Sequence, residues 1–429
     1  MVQGVNTAAT WYEATARREP VDGTVHGKLV TDVCVIGAGL AGLTVALELA
    51  RRGKHVVILE GRLIGSGASG RNGGFVSNGF ALGIEEVAKH VGKDAARALY
   101  DLSRTGTEFV RKEIAATDPT LKMGDGWIVA VRHDDKGGMK AAAETLSRDY
   151  GEEVDYLPAN ETRKLLVSNR YFDSLRGPKG FHIHPLRYCL ALAKNAKAAG
   201  AQIFENTPAV GVSKQGAHHV VKTAAGEVHA EHVVHCVSKT GKSVHALSDR
   251  AILPVATYVA VTEPLTQSSI ATRMAISDTR RAGDYYRLVD EGRILWGGCI
   301  TTRVSEPSRL AERMKRGMLS TYPALGNPGI DYAWSGIMGY AIHKMPLIGR
   351  DASGQWFASA FGGHGLNTTA MAGQLMARAI ADGDDAYRRF APFAPRWAFG
   401  QLGRLGVQGS YWWMQIKDKR DESRLFSRR

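Results

Sequence analysis

The 429-residue sequence contains only four cysteines, and no two of them are close together. Cys34, Cys189, Cys236 and Cys299 form no CxxC pair and show no spacing typical of a metal site. We therefore predict no metal centre. The four residues are expected to be buried or partly buried thiols in a reducing compartment, which makes the cytoplasm the expected location.

Long apolar runs are also missing. No stretch of about eighteen uncharged apolar residues occurs, so no membrane-spanning segment is expected. The first ten residues, MVQGVNTAAT, have neither a basic start nor an apolar block, and therefore do not resemble a secretory signal. With 44% hydrophobic and 23% charged residues, the composition is that of a globular protein, and the length favours two domains.

Acidic residues are outnumbered by basic ones, 42 to 55, which gives a formal net charge of +13. The basic residues are scattered, with local density only near the C-terminus, and no RNA-recognition motif is present. We therefore predict no nucleic-acid partner. A basic solvated surface is the favoured interpretation, and a field that attracts anionic substrates remains open as an alternative.

The stretch VIGAGLAGL contains a GxGxxG motif made by Gly37, Gly39 and Gly42. A β-branched apolar segment precedes it, and an apolar pattern of helical period follows, beginning at Leu40 and Ala41. In this context the first glycine permits a tight turn, the second lets a pyrophosphate approach the backbone, and the third lets helix and strand pack closely. The helix N-terminus then offers N–H groups to the phosphates.

A second short apolar strand, HVVILEG, follows the helix and ends at Glu60, 18 residues beyond Gly42. At that position a carboxylate can accept hydrogen bonds from ribose hydroxyl groups. The unit of strand, glycine turn, helix, strand and acid predicts a dinucleotide-binding βαβ fold. The acid disfavours a cofactor with a 2′-phosphate but does not distinguish NAD from FAD.

The next segment, GRLIGSGASGRNGGF, favours FAD over NAD. Its glycines allow backbone to lie against a flat ligand, its arginines can meet phosphates, and its serine and asparagine can donate to polar ring edges. The alternative is a mobile surface loop. The predicted cofactor contacts in this segment are Gly61, Arg62, Ser69, Gly70, Arg71, Asn72, Gly73 and Gly74.

Taken together, several motifs resemble the FAD-dependent amine and amino-acid oxidases of the D-amino-acid oxidase superfamily, and among them the group of γ-glutamylputrescine oxidase. These motifs are GAGLAG, ASGRNGG, the N-terminal WYEATA, FHIHPLRYCLALA, DYYRL, HKMPLIGR and FGGHGLNTT. The resemblance covers nearly the whole chain. The motifs are specific for the family and not for one substrate.

The resemblance implies an α/β (mixed α+β) fold with a Rossmann-like FAD-binding domain. A substrate domain, built on a mixed and largely antiparallel β-sheet, is interleaved with it. The expected FAD-binding segments are 28–83, 180–253 and 331–385. The expected substrate-domain segments are 84–179 and 254–330. Residues 1–27 form an N-terminal arm and residues 386–429 an aromatic and basic C-terminal tail.

The resemblance also implies where the cofactor lies. Some relatives attach flavin covalently through His or Cys, and the matching residue here is Arg71, so noncovalent FAD is expected. Val210 and Cys236 match positions that place backbone against the adenine half, although either fits plain core equally well. Asn367 is expected to cap a helix whose N-terminus points at the flavin ring. The closing flavin contacts are expected at Gly362, Gly363, His364, Gly365, Leu366 and Asn367.

The implied reaction is oxidation of a carbon–nitrogen bond in a secondary amine or amino acid. γ-Glutamylputrescine, or an anionic N-substituted glycine such as iminodiacetate or sarcosine, would give an imine, then an aldehyde or oxo acid plus an amine, with O₂ reduced to H₂O₂. One alternative is a dehydrogenase that passes electrons to a quinone or carrier. A tRNA-modifying or non-catalytic flavoprotein is less favoured, and the oligomeric state stays open.

His364 is the first candidate for a reactive-site residue. Arg287, with Tyr285 and Tyr286 beside it, is the best candidate to bind a carboxylate, since arginine presents a fork of donors. Tyr258 is a candidate wall residue. For the strand residues the alternative is that aromatic and arginine side chains only pack together.

The sequence contains no obvious residue to assist the reduction of O₂ by the flavin. Some sarcosine oxidases of the superfamily use a lysine near the flavin, but the comparable segment here, GGCITTR, has none. Lys344 or Arg303 could substitute, or a helix dipole could suffice. We predict that His184, before Pro185, holds a turn and that it forms no metal site with His182. The C-terminal tail is expected to dock on the enzyme, with a membrane surface or an acidic partner as alternatives.

Overall fold

The structure is a computed structural model that describes residues 10–238, 244–265, 270–280 and 283–426. The helices are α1 (Trp11–Thr15), α2 (Leu40–Ala50), α3 (Ile84–Val91), α4 (Lys93–Thr117), α5 (Gly138–Tyr150), α6 (Ala159–Leu166), α7 (Pro185–Ala198), α8 (Ala246–Ala251), α9 (Leu310–Thr321), α10 (Gly365–Ala381) and α11 (Gly400–Phe426). The first strands are β1 (Gly27–Ile36), β2 (Val56–Leu59), β3 (Phe75–Val76), β4 (Lys122–Ala130), β5 (Asp155–Leu157), β6 (Ser174–Ile183), β7 (Gln202–Phe204), β8 (Gly211–Gln215) and β9 (His218–Lys222). The remaining strands are β10 (Gly226–His235), β11 (Leu253–Thr262), β12 (Ala275–Asp278), β13 (Tyr285–Leu288), β14 (Ile294–Thr301), β15 (Ile330–Tyr340), β16 (Leu347–Arg350) and β17 (Trp356–Ser359).

The first sheet contains the predicted βαβ unit. In the described residues its order is β16-β17-β10-β1-β2-β7, and the hairpin of β8 and β9 extends it beside β10. β1 pairs in parallel with both β2 and β10. Val33, Val35 and Ile36 at the end of β1 are buried on both faces of the sheet, as expected for a central parallel strand with a continuous apolar run.

The second sheet is mixed and largely antiparallel, as expected. Its order is β15-β11-β14-β13-β12-β4-β6-β3, with β5 beside β6. Of these pairings, β4 with β12 is parallel. β13 and β14, which carry the motif DYYRL and the following ILWGG, pair antiparallel. The fold class predicted from the sequence is therefore confirmed.

The two sheets do not follow the expected segment boundaries everywhere. β3 and β15 lie in the second sheet, although the sequence assigned both to FAD-binding segments. Conversely, α4 packs against α10 and α7 in the core of the first sheet, although the sequence assigned it to the substrate domain. The reason is physical: Phe109, Val110 and Ile114 are buried in that core, and no amphipathic pattern reports which of two cores a helix joins.

Both chain ends pack on the body. α1 buries Trp11 and Tyr12 beside Trp334 of β15. α11 is a 27-residue helix that the sequence did not indicate, because glycines recur through its first turns and glycine disfavours helix. All four cysteines are free. No described helix is both long and apolar enough to cross a bilayer.

Candidate functional site

A cavity of about 520 Å³ lies between the two sheets. Its lining comes from the glycine turn after β1, from the 68–77 segment, from the inner strands of the second sheet and from the turn before α10. It therefore collects three motifs that are far apart in the sequence. The lining residues that the sequence predicted are Gly39, Leu40, Ala41, Ser69, Arg71, Asn72, Gly73, Gly74, Cys236, Gly362, Gly363, His364, Gly365 and Leu366.

The turn after β1 requires its glycines. Gly37 has φ +107°, and a Cβ at this residue would lie 2.7 Å from the carbonyl oxygen of Cys236. A Cβ at Gly42 would collide with the carbonyl oxygen of Gly37. α2 therefore starts close against β1. Its N-cap, Gly39, makes no side-chain capping bond, which leaves N–H groups of the first turn available for an anion at the cavity wall.

Three predicted contacts hold the turn rather than line the cavity. The Glu60 carboxylate accepts from the N–H of Ala38 at 2.8 Å and from the N–H of Arg62 at 2.9 Å. It thereby ties the end of β2 to the glycine turn. Gly61 and Gly70 also lie outside the lining; a Cβ at Gly70 would strike the carbonyl oxygen of Gly65.

Ser69 and Asn72 differ from their expected role as donors to a ring edge. The Leu40 N–H donates to Ser69 Oγ at 3.0 Å, so this hydroxyl caps the start of α2. Asn72 donates from Nδ2 to the carbonyls of Ala68 and Ser69, and its Oδ1 accepts from the Gly74 N–H. Both side chains line the cavity, but their polar atoms shape the backbone of the 68–74 segment.

Arg71 is the one permanent cation among the described residues that line the cavity. It is 8% exposed, and its Nε donates to the carbonyl oxygen of Ser335 in β15 at 2.9 Å. Its Nη2 is buried without a hydrogen-bond partner. Burial lowers the pKa of this guanidinium, and the charge of Glu306 opposes the shift. A buried cation with an unpaired donor is costly unless an anionic or polar group meets it.

His364 lies on the cavity wall at the N-cap of α10. Its Nε2 lies 3.2 Å from the Ser77 carbonyl oxygen and 3.1 Å from that of Asn78, so this nitrogen carries the proton and donates. Burial lowers the pKa of the ring, which favours the neutral form. His364 therefore positions the 77–78 segment against the turn before α10.

Asn367 does not cap α10. It is the third residue of the helix, is buried, and donates from Nδ2 to the carbonyl oxygen of Gly79 at 3.1 Å. The capping expectation was wrong because the helix begins at Gly365, two residues earlier than the asparagine pattern suggested.

The other end of the cavity is aromatic. Trp127 from β4, Phe181 from β6 and Tyr285 from β13 line it, together with Thr257 of β11. The Tyr285 ring fits between two glycines, since a Cβ at Gly73 or Gly297 would strike it. Trp127, Phe181 and Thr257 were not among the predicted site residues, because the face that each of them takes depends on how distant strands pair.

Tyr286 and Tyr258 belong to the core behind the second sheet. Tyr286 stacks on Trp296 with 4.3 Å between ring centroids, and its hydroxyl contacts those of Tyr171 and Tyr322. Tyr258 donates to the carbonyl oxygen of Ser305 at 3.0 Å. Adjacent strand residues point to opposite faces, so Tyr285 rather than Tyr286 reaches the cavity.

Arg287 is fully buried beneath the cavity wall rather than on it. Its Nη2 donates to the Ile183 carbonyl at 2.8 Å and to the Tyr12 hydroxyl at 3.1 Å, and Tyr12 donates to the Asn72 carbonyl at 2.7 Å. A Cβ at Gly74 would lie 2.6 Å from Nη2. Arg287 therefore supports the 72–74 backbone from below, and the expected direct contact with a substrate carboxylate is not present.

Three further predicted residues lie away from the cavity. Lys344 is exposed, and Arg303 is exposed with its guanidinium 5.9 Å from the ring centre of Trp412 in α11. Neither provides the cation that the missing lysine would have supplied. Val210 is 61% exposed, and its N–H donates to the Lys222 carbonyl in the β8–β9 hairpin.

His182 and His184 make hydrogen bonds that stabilise the fold, in line with the prediction that His184 holds a turn. The Arg187 N–H donates to His184 Nδ1, which caps α7. Arg287 Nη1 donates to His182 Nδ1 at 2.8 Å. In the described residues no group of three or more His, Cys, Asp or Glu side chains is placed to hold a metal ion.

Acid should destabilise the fold through His182. Burial and the Arg287 charge lower the pKa of this ring from 6.5 to about 3. Below pH about 6.5 His182 therefore binds a proton in the unfolded chain but stays neutral in the folded chain. Its contribution to the free energy of unfolding is fully present above pH about 6.5 and is lost as the pH falls toward 3. In urea titrations, His182→Asn should reduce the loss between pH 7 and pH 5 by about 2 kcal/mol. His55→Asn, at an exposed residue, is the control, and an unchanged pH slope in the His182 variant would contradict this assignment.

A family model described as FAD dependent oxidoreductase (DAO) matches residues 32–379. The chain belongs to the DAO family of FAD-dependent oxidoreductases. This assignment agrees with the α/β fold and the glycine turn described above. The protein is accordingly an FAD enzyme.

Two curated relatives span most of this DAO-family chain. A protein named probable oxidoreductase OrdL from Haemophilus influenzae is 35% identical over 367 residues, which cover 82% of this chain and 83% of that one. Gamma-glutamylputrescine oxidoreductase from Escherichia coli is 31% identical over 390 residues, covering 89% and 91%. Among solved structures, glycine oxidase from Geobacillus kaustophilus superposes with a TM-score of 0.72 at 19% identity, covering 86% of this chain and 99% of that chain. The last comparison supports the fold.

The residues around the cavity fit FAD. The start of α2, where Ser69 takes one N–H of the first turn, and the Gly37–Gly42 turn suit the pyrophosphate, and the backbone at 73–74 and 362–363 lines the space for a flat ring. Burial raises the pKa of the Cys236 thiol to about 12, so this lining cysteine is neutral and unreactive. Noncovalent attachment stays a prediction.

Proposed function

We propose that this DAO-family enzyme oxidises the carbon–nitrogen bond of a secondary amine or amino acid that carries an anionic group. γ-Glutamylputrescine and anionic N-substituted glycines are the substrates that fit, and O₂ is the proposed electron acceptor. One observation carries the proposal: the cavity has an aromatic end and one permanent cation, Arg71, whose Nη2 is unpaired among the described residues. The name of the Escherichia coli relative, an oxidoreductase of γ-glutamylputrescine, supports the same substrate class.

Bound FAD would supply the redox chemistry by accepting two electrons and a proton from the C–H beside the substrate nitrogen; these two electrons, with that proton and the proton lost from the substrate N–H, would reduce O₂ to H₂O₂. The oxidised substrate is an imine. Water adds to its carbon, the carbon–nitrogen bond breaks, and an aldehyde or oxo acid leaves with an amine. The chain's own residues bind, orient and shield these groups.

The aromatic end suits the carbon chain and a neutral amine. Trp127, Phe181 and Tyr285 exclude water from the reacting C–H, and a low-dielectric wall favours the uncharged amine that the reaction requires. Among the described residues that line the cavity, none is placed as a dedicated base. His364 donates from Nε2 to two backbone carbonyls, and we assign it to positioning the turn before α10.

Arg71 suits the anionic group of the substrate. Its unpaired Nη2 is a charge-assisted donor for a carboxylate, and its buried position strengthens that interaction. Because Lys344 and Arg303 are exposed and outside the lining, Arg71 is also the cation best placed to assist the reduction of O₂. This role replaces the one that the sequence offered to those two residues.

Oxygen uptake by the purified enzyme tests the proposal. The panel contains γ-glutamylputrescine, putrescine, sarcosine, iminodiacetate and glycine, with H₂O₂ and the carbonyl product measured in parallel. We expect uptake with an anionic member of the panel and much less with putrescine. Reduction of a quinone or dye without oxygen uptake would instead identify a dehydrogenase.

Two neighbouring tyrosines provide a matched control for the cavity. Tyr285→Leu should raise KM for the active substrate, because this ring lines the aromatic end. Tyr286→Phe removes a hydroxyl in the core behind the sheet and should alter stability with little effect on KM. Equal effects on KM would contradict the assigned wall.

A further inference from the structure

The C-terminal helix α11 is attached to the body through polar side chains. Gln408 is 7% exposed, and its Oε1 accepts from the Thr301 hydroxyl at 2.7 Å and from the Thr302 N–H at 2.9 Å. Arg404 donates to the Thr302 carbonyl at 2.8 Å. Near the end of the helix Glu422 approaches the buried Arg132 at 3.5 Å. The inner face of α11 therefore combines these polar contacts with partly buried side chains such as Tyr411.

The outward side of α11, together with Trp397 and Phe399 just before the helix, is apolar. We call it the C-terminal surface; it comprises Trp397, Phe399, Leu402, Leu405, Trp412, Trp413 and Ile416. Each of these side chains is more than half exposed, and Leu402 and Leu405 reach 73% and 70%. Seven of the twelve large apolar side chains exposed in the described residues lie within this segment of twenty residues. Such clustering indicates a binding surface, whereas single exposed apolar residues need no explanation.

The spacing of the C-terminal surface follows the helix. Leu402, Trp413 and Ile416 recur at helical intervals on the outward side of α11, whereas Leu405 and Trp412 lie about one turn from Gln408, at the edge of that side. Among the described residues, α11 therefore leaves a group of large apolar side chains exposed to water.

The charged residues around the C-terminal surface indicate what kind of partner binds it. Arg396 precedes the apolar segment, Lys417 and Lys419 follow it, and all three side chains are exposed. The whole chain carries a net charge of +13. A second copy of the chain would bring the same basic rim against this one and would be repelled, whereas an anionic surface is attracted.

The aromatic residues of the C-terminal surface indicate the same kind of partner. Tryptophan prefers the boundary between water and lipid, and it occurs at both ends of the C-terminal surface as Trp397 and as the pair Trp412 and Trp413. A helix with apolar residues on one face and basic residues at its rim lies in the plane of a bilayer surface without crossing it. We propose that the C-terminal surface docks the enzyme on an anionic phospholipid bilayer.

Docking would bring the membrane close to the cavity. Arg404 and Gln408 hold Thr301 and Thr302, and Ile300, the residue before Thr301, lines the cavity wall. α11 also contacts β11, whose Thr257 lines the cavity. The proposal rests on the surface alone and does not depend on the substrate of the enzyme.

Vesicle co-sedimentation of the FAD-loaded full chain tests the proposal. Vesicles of phosphatidylglycerol mixed with phosphatidylcholine should sediment the enzyme, vesicles of phosphatidylcholine alone should do so weakly, and salt should reduce binding. The triple variant Leu405→Ser, Trp412→Ser, Trp413→Ser should bind the anionic vesicles at least about tenfold more weakly, since it removes three apolar anchors. Lys417→Glu with Lys419→Glu should also weaken binding.

Val30→Ser with Ile342→Ser provides the matched control, because these exposed apolar residues lie outside the C-terminal surface. The control should bind as the unchanged protein does. Retained FAD absorbance and circular dichroism confirm that each variant is folded. The proposal is overturned if the unchanged enzyme ignores anionic vesicles, if the triple variant binds them equally well, or if the surface is found buried in a homodimer that the triple variant dissociates.

Discussion

A Gly42→Ala variant should be purified with little or no FAD. The added Cβ would collide with the carbonyl oxygen of Gly37, in the turn between β1 and α2, and would approach Cγ1 of Val35, in β1, at 3.1 Å. To relieve this clash the helix start must move away from β1, which displaces the N–H groups that face the pyrophosphate. Overpacking of this kind costs about 1–3 kcal/mol, so FAD affinity should fall by about tenfold to hundredfold.

Flavin fluorescence released from the purified protein measures this effect, with titration of added FAD for the affinity. Gly23→Ala is the control, since a Cβ at Gly23 meets no atom within 4 Å and lies far from the turn in sequence. It should keep full FAD content. A folded Gly42→Ala protein with unchanged affinity would show that the close approach of helix and strand is not needed for the cofactor.

Replacing Arg71 by Met should reduce kcat/KM for the anionic substrate by about tenfold to hundredfold. The change keeps much of the apolar stem but removes a buried charge, and a hydrogen bond to a charged group contributes about 1.5–3 kcal/mol. The loss should be larger for the anionic substrate than for a neutral analogue such as its amide or ester. Arg71→Lys should restore part of the activity, because it retains the charge without the fork of donors.

A second readout separates a cation that acts at the site from one that only supports the fold. The midpoint potential of the bound FAD should fall in Arg71→Met, since removal of a nearby positive charge disfavours reduction. Arg176→Met, which breaks an exposed pair with Asp155, is the control and should change neither the potential nor kcat/KM. Equal loss for charged and neutral substrates, with an unchanged potential, would contradict the proposed role of Arg71.

The parts of the molecule that sequence predicted well are those in which neighbouring residues decide the structure. The glycine turn, the buried strands around it and α2 follow from local sterics and apolar periodicity, and each is where the pattern indicated. The segment from Ala68 to Gly74 was also placed at the cavity, because its glycines and polar residues form one continuous turn.

The aromatic end of the cavity could not be predicted from any single chain segment, because it depends on how distant strands pair. Tyr285 and Tyr286 are equivalent in the sequence, and only the pairing of β13 with β12 and β14 decides which one reaches the cavity. Arg287 shares the face of Tyr285, yet it turns beneath Gly74 because Tyr12 and Ile183 offer it acceptors from distant parts of the chain. The same limit explains why α4 was assigned to the other domain.

α11 shows the opposite difficulty. Its glycines lower the helix propensity of the segment, and its apolar residues face outward, so neither local preference nor a core-facing stripe marks it as a helix. The contacts of Gln408 and Arg404 with β14 and the residue after it hold the helix in place, and these are again long-range.

Anaerobic mixing of the purified enzyme with amines and amino acids tests the central claim most directly. The visible absorbance of bound FAD is followed while γ-glutamylputrescine and N-substituted glycines are added in turn. The predicted result is an oxidised-flavin spectrum that is bleached by an anionic amine of this panel, with the colour returning quickly when air is readmitted. A folded protein that neither carries nor takes up FAD, or one whose FAD no amine or amino acid bleaches, would contradict it.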